Sequence, residues 1–91
     1  DQGMKKVEVY YATYCPYSIK ALKMLDDKGV EYKSYAIDND EDKLREKLGE
    51  YYKIEGKVTV PQIIVDNKRI GGYEDIKKLD EAGKFEEIFL D

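Results

Sequence analysis

The chain has 91 residues, 42% of them hydrophobic and 40% charged, and a formal net charge of −4 at neutral pH. That length and balance suit one small folded domain with a single modest core and no linker or repeat. The acidic balance argues against a nucleic-acid partner, and no apolar run approaches the roughly 20 residues of a membrane span; one cysteine without a histidine excludes an internal disulfide and a Cys–His pair and argues against a zinc or haem site.

Lys5 to Tyr11 alternates charged and apolar residues as a half-buried strand does. Asp1-Gln2-Gly3, ahead of Met4, is read as an expression remnant, so the domain is expected over residues 4–91. Pro16 suits the first turn of a helix. Its buried stripe is expected to be Ile19, Leu22 and Leu25 with Ala21 and Met24 beside them, and Gly29 fits its stop. Val30 to Ile37 is rich in β-branched and aromatic residues and reads as a second strand, whose alternation does not settle which face is buried. Asp38 and Glu41 have the spacing of a capping box. They open a helix over roughly 40–53, on which Leu44, Leu48 and Tyr51 or Tyr52 share a face and Gly49 is a weak point.

Glu55 to Thr59 reads as a loop feeding Pro61, Gln62 to Val65 as a third strand, Asp66-Asn67 as a tight turn, and Lys68 to Ile70 as an antiparallel fourth strand. Gly71-Gly72 closes the hairpin, and Tyr73 to Leu79 with Phe85 to Leu90 supplies one or two closing helices around Gly83. The order is β-α-β-α-β-β-α. A right-handed parallel crossover joins the first two strands and the hairpin adds antiparallel pairing, so the fold class is α/β, a mixed four-stranded sheet flanked by helices.

Chemistry concentrates at Cys15, the only cysteine, between the first strand and the first helix. A lone cysteine is in general more often an inert core residue than a nucleophile. This position reverses the expectation: at the N-cap, unpaired first-turn N–H groups and the positive end of the helix dipole stabilise a thiolate over a thiol.

Cys15-Pro16-Tyr17-Ser18 matches the C-P-Y-C site of glutaredoxins, with serine in place of the second cysteine. Thr59-Val60-Pro61-Gln62-Ile63-Ile64-Val65 followed by Ile70-Gly71-Gly72-Tyr73-Glu74-Asp75 is similar to the same family's T-V-P loop and G-G-x-x-D segment. Over residues 4–91 the chain therefore resembles a glutaredoxin, of the thioredoxin superfamily, and the resemblance implies the thioredoxin-like fold. In that family the residue before the T-V-P proline pairs its backbone with glutathione across a cis bond. The resemblance thus implies that Val60 pairs, that Val60–Pro61 is cis, and that Thr59 lies beside them. Gly72, Tyr73, Glu74 and Asp75 resemble the segment that receives the γ-glutamyl group, where first-turn N–H groups suit a carboxylate and Asp75 can meet an ammonium. The plainer readings are a hairpin exit for the glycines and dipole complementarity for Asp75.

Tyr17 is expected over the thiol, and Gln62 reads equally as strand-end packing or substrate contact. Ala12 stands where many relatives carry a lysine, which leaves Lys20, Arg45, Lys53 and Lys57 as candidate partners for a ligand carboxylate. The resemblance implies a glutathione-dependent thiol-disulfide oxidoreductase, acting through Cys15 on protein–glutathione mixed disulfides by a monothiol mechanism. Glutathione is then the co-substrate, glutathionylated or disulfide-containing proteins are the partners, no metal is held by this chain alone, and a monomer in a reducing cytoplasm is expected. Ser18 fits either a natural C-P-Y-S site or a dithiol glutaredoxin whose second cysteine was changed to serine, with the second favoured. The alternative function is a dimer holding a [2Fe-2S] cluster on two Cys15 thiolates and two glutathione thiolates. Against it, relatives specialised for that role carry C-G-F-S and an insertion, both absent here.

Overall fold

Alternation in the first strand divides the molecule into two layers. The computed structural model describes residues 5–90, so Met4, Asp91 and the remnant assigned to residues 1–3 lie outside the described residues. Strand β1 (Val7–Tyr11) turns Val7 and Val9 into a core shared with Ala21, Leu25, Val30, Ile63, Val65, Ile76, Phe85 and Phe89. Three helices supply the far wall of that core: α1 (Pro16–Asp27), α3 (Tyr73–Glu81) and α4 (Phe85–Phe89). Glu8 and Tyr10 point to the other face, where α2 (Glu41–Tyr52) brings Leu48 against the sheet.

The sheet runs β2-β1-β3-β4, with β2 at Lys33–Ala36, β3 at Gln62–Val65 and β4 at Lys68–Gly71. β2 lies parallel to β1, whereas β3 is antiparallel to both β1 and β4. The β3–β4 turn places Asp66 and Asn67 at φ of 51° and 67°, the left-handed pair that a two-residue hairpin requires. Gln62, Ile63, Ile64 and Val65 are all buried, as expected of a central strand covered on both faces.

Three expectations need correction. The buried stripe of α1 is Ser18, Ala21 and Leu25, while Ile19 is 55% exposed: the helix is rotated so that a small polar residue packs inward beneath Cys15. The second strand is shorter than Val30–Ile37 and wholly exposed, because β2 is an edge strand; Val30 and Ile37 are buried on either side of it. Asp38 and Glu41 form no capping box. Asp38 opens a short 3₁₀ turn (Asp38–Asp40), Asp40 becomes the N-cap of α2, and both carboxylates are spent on other partners.

Candidate active site

Cys15 is the N-cap of α1, with extended backbone (φ −92°, ψ 119°) and Pro16 in the first turn. No side chain caps the helix, so its first-turn N–H groups remain available to a negative charge at the sulfur or on a ligand. The thiol is partly exposed and donates to the Val60 carbonyl at 3.7 Å. Once deprotonated it has no proton to donate, and that carbonyl is released for a ligand N–H.

Ser18, one turn into α1, is fully buried and its Oγ accepts the Ala12 N–H at 3.2 Å. It therefore ties the loop before Cys15 to the helix after it. Ala12 is itself fully buried and, as an alanine, supplies no cation there.

The Val60–Pro61 bond is cis, and the Val60 backbone faces Cys15. Beyond it opens a cleft of about 280 Å³ lined by Tyr17, Thr59, Val60, Pro61 and the segment Gly72 to Asp75. The structure thus gathers onto one wall the site residues expected from sequence other than Cys15 and Ser18, which sit at the helix end beside it. Gly72 is the N-cap of α3 and its N–H donates to the Asp75 carboxylate at 2.8 Å. Gly71 has φ +127°, and a Cβ there would collide with that carboxylate, so glycine at this position lets Asp75 fold back over the helix start. Tyr17 is half exposed and tilts toward Tyr73, with ring centroids 6.3 Å apart and Lys20 Nζ within 5.5 Å of the Tyr17 ring.

The other proposed cations lie elsewhere. Arg45 donates to Glu41 at 3.0 and 2.9 Å and to the Val58 carbonyl, Lys53 ends α2 in the left-handed region, and neither these two nor Lys57 line the cleft. Arg45 instead belongs to a network that braces the site. Tyr14 donates to Glu41 at 2.6 Å, and Thr13 donates to Asp38 through its N–H at 3.1 Å and through its hydroxyl. The loop before Cys15 and the loop before Val60 are thereby fastened to one helix. The Tyr14 hydroxyl and then Arg45 hold the Glu41 carboxyl below the ordinary carboxylate range; Thr13 does the same for Asp38.

A family model described as Glutaredoxin matches residues 7–70, a span holding Cys15, Ser18 and the cis proline. The chain belongs to the glutaredoxin family. A probable glutaredoxin of Synechocystis is 41% identical over 83 residues, covering 91% of both chains, and glutaredoxin 3 of Escherichia coli is 39% identical over 80 residues, covering 88% of this chain and 92% of its own. Among solved structures, the buckwheat glutaredoxin–glutathione complex superposes with a TM-score of 0.82 at 25% identity, covering 93% of this chain and 76% of that one. A Brucella melitensis glutaredoxin gives 0.81 at 28% identity, covering 97% and 91%.

This glutaredoxin has the family's thioredoxin-like fold and is a thiol-disulfide oxidoreductase with glutathione-dependent redox chemistry. No helix among its described residues is long and apolar enough to cross a membrane. Three cleft residues are not assigned to the site from sequence: Arg69 on β4, Gly71 at its end, and Gln62, undecided there. Arg69 lies outside the motifs, whereas Gln62 and Gly71 lie within the stretches that carry the resemblance. Only the hairpin register, which lays Arg69 beside Ile64 and Gly71 beside Ile63, brings them together.

Proposed function

We propose that this glutaredoxin removes glutathione from protein–glutathione mixed disulfides by a monothiol mechanism at Cys15. The observation that carries the proposal is the 3.7 Å approach of Cys15 Sγ to the Val60 carbonyl, at one end of a cleft whose other end is the start of α3. That layout suits an extended tripeptide: sulfur at the helix N-terminus, peptide groups against the Val60 backbone, and the γ-glutamyl end at Gly72 to Asp75. The glutathione held in the buckwheat complex supports this choice of ligand.

The Cys15 thiolate attacks the glutathionyl sulfur, an S–S bond forms, and the electron pair of the broken bond leaves with the protein thiolate, which takes a proton. A second glutathione thiolate then attacks the Cys15–glutathione disulfide, restoring the Cys15 thiolate and releasing oxidised glutathione. The first-turn amides of α1 stabilise Cys15 as attacking group in the first step and as leaving group in the second. Ser18 cannot resolve the intermediate internally, so each turnover uses two glutathione equivalents: the one carried by the substrate and the one that attacks. The requirement for reduced glutathione places the work in a reducing compartment.

Steady-state kinetics with a glutathionylated protein and reduced glutathione test the proposal. Parallel double-reciprocal lines, with all activity lost in Cys15→Ser, are expected. Intersecting lines, or activity persisting in Cys15→Ser, would overturn it.

A further inference from the structure

The face of the sheet turned away from α1 and α3 carries a second cleft, which the thiol chemistry does not use. Its volume of about 360 Å³ lies within the range of about 300–1,000 Å³ usual for small-molecule sites. Alternation on β1 sends Glu8 and Tyr10 into it, and α2 closes over them with Lys47, Leu48, Tyr51 and Tyr52. Tyr51 and Tyr52 stand edge to face, with ring centroids 4.7 Å apart and planes at 82°. Tyr10 is backed by Tyr35, stacked on it at 5.0 Å. Burial pushes the Tyr10 and Tyr52 hydroxyls above their ordinary value; Glu8 adds to both and Tyr51 to Tyr52, as expected of three rings and a carboxylate that share one space.

Among the described residues, neither Glu8 nor Lys47 enters an ion pair. Lys6 also lines the cleft, about 7 Å before Glu8 along the strand, and its ammonium meets the Asn67 side chain at 3.4 Å. Three aromatic rings beside a carboxylate free of ion pairs suit an organic cation. A quaternary ammonium suits them best, because it loses less hydration on entering than a primary amine does. The two lysines then call for a negative charge on the same molecule, so charge complementarity along the cleft selects a zwitterion. We propose that this cleft binds small molecules carrying a quaternary ammonium and an anionic group a few atoms apart, the phosphocholine class, with the ammonium among Tyr10, Tyr51, Tyr52 and Glu8 and the anion at Lys6 and Lys47.

Isothermal titration calorimetry of the whole chain with phosphocholine, choline and phosphoethanolamine tests this. Saturable one-to-one binding of phosphocholine is expected, tighter than that of choline, which lacks the anion, and tighter than that of phosphoethanolamine, whose ammonium is primary. Tyr51→Leu and Tyr52→Leu keep apolar bulk and remove a ring, so each should weaken phosphocholine binding about tenfold. Tyr51 is 73% exposed, so its replacement leaves the core untouched and serves even where Tyr52→Leu fails to fold. Glu8→Gln should weaken choline and phosphocholine alike, whereas Lys6→Gln and Lys47→Gln should each lower the preference for phosphocholine over choline about threefold. Prior alkylation of Cys15 with iodoacetamide should leave the titration unchanged. A lipid headgroup presents the same group as the free compound: co-sedimentation with phosphatidylcholine vesicles but not phosphatidylglycerol ones would name the lipid as source, and binding of phosphocholine without sedimentation the free compound. Phosphocholine that fails to bind, phosphoethanolamine that binds equally well, full affinity in Tyr51→Leu, or affinity lost on alkylation of Cys15 would overturn the proposal.

Discussion

Ser18 occupies a place with two demands on it. In the proposed reading it stands where a dithiol mechanism would need a resolving cysteine, and its hydroxyl is the acceptor for the buried Ala12 N–H. Ser18→Ala should therefore cost about 1–2 kcal/mol by orphaning that N–H, lowering the melting temperature by roughly 5–10 °C in a chain of this size, while monothiol turnover persists. Thermal unfolding by circular dichroism measures the shift; an unchanged midpoint would mean that the Ala12 contact contributes nothing. Ser18→Cys should let Cys15 and position 18 close a disulfide and add reduction of ordinary protein disulfides, read by thiol titration and an insulin-reduction assay. Failure to close it would mean that position 18 does not resolve Cys15. At Asp75 the carboxylate both accepts the Gly72 N–H and faces the cleft. Asp75→Asn keeps an acceptor for the N–H and removes the charge, so it should raise KM for glutathionylated substrate with little loss of stability, whereas an unchanged KM would take Asp75 out of the site. Cys15, Val60 and Asp75 could be placed from sequence because each sits in a motif. Arg69 could not: a lysine- and arginine-rich strand reads as solvated surface until pairing shows which side chain borders the cleft.

At the scale of elements, two junctions hold the site together. The first is the hairpin exit, where Gly71 at φ +127° makes room for Asp75 against the start of α3. Gly71→Ala should destabilise by about 2 kcal/mol or more and displace the Asp75 carboxylate, seen as a lower melting temperature together with a raised KM. A normal melting temperature would show that the backbone there adapts without strain. The second junction is the Thr13–Asp38 and Tyr14–Glu41–Arg45 network. Its carboxyls bind protons more weakly in the folded chain than in the unfolded one, so stability is present above their ordinary range of about 4 and is lost as pH falls below it. Glu41→Gln should flatten the acid limb of melting temperature against pH; an unaltered slope would mean that Glu41 is not among the groups responsible. The sequence suggested a capping box from the same two carboxyls, since Asp38 and Glu41 have its spacing. Tertiary partners prevailed: Thr13 and Tyr14, some 25 residues earlier in the chain, offer hydroxyls that a local cap cannot match.

For the molecule as a whole, the order of elements, the parallel crossover and the hairpin followed from periodicity and turn residues, because β1 alternates, β3 is a short apolar run and Asp66-Asn67 marks the turn. The rotation of α1 was less legible. Ile19 and Ser18 are adjacent, and hydrophobicity alone assigns the wrong one to the interior, since Ser18 is buried for its hydrogen bond and not for its transfer energy. The fold's result is an open helix end, a cis proline loop and a second helix start grouped around one cleft, and the central claim is that this grouping makes Cys15 a glutathione-specific thiol. Intact-protein and peptide mass spectrometry after incubation with oxidised glutathione tests it most directly. One glutathionyl group is expected, located on Cys15, that stays until reduced glutathione is added and is then released, with no adduct on Cys15→Ser. A wild-type chain that stays unmodified at Cys15 would contradict it.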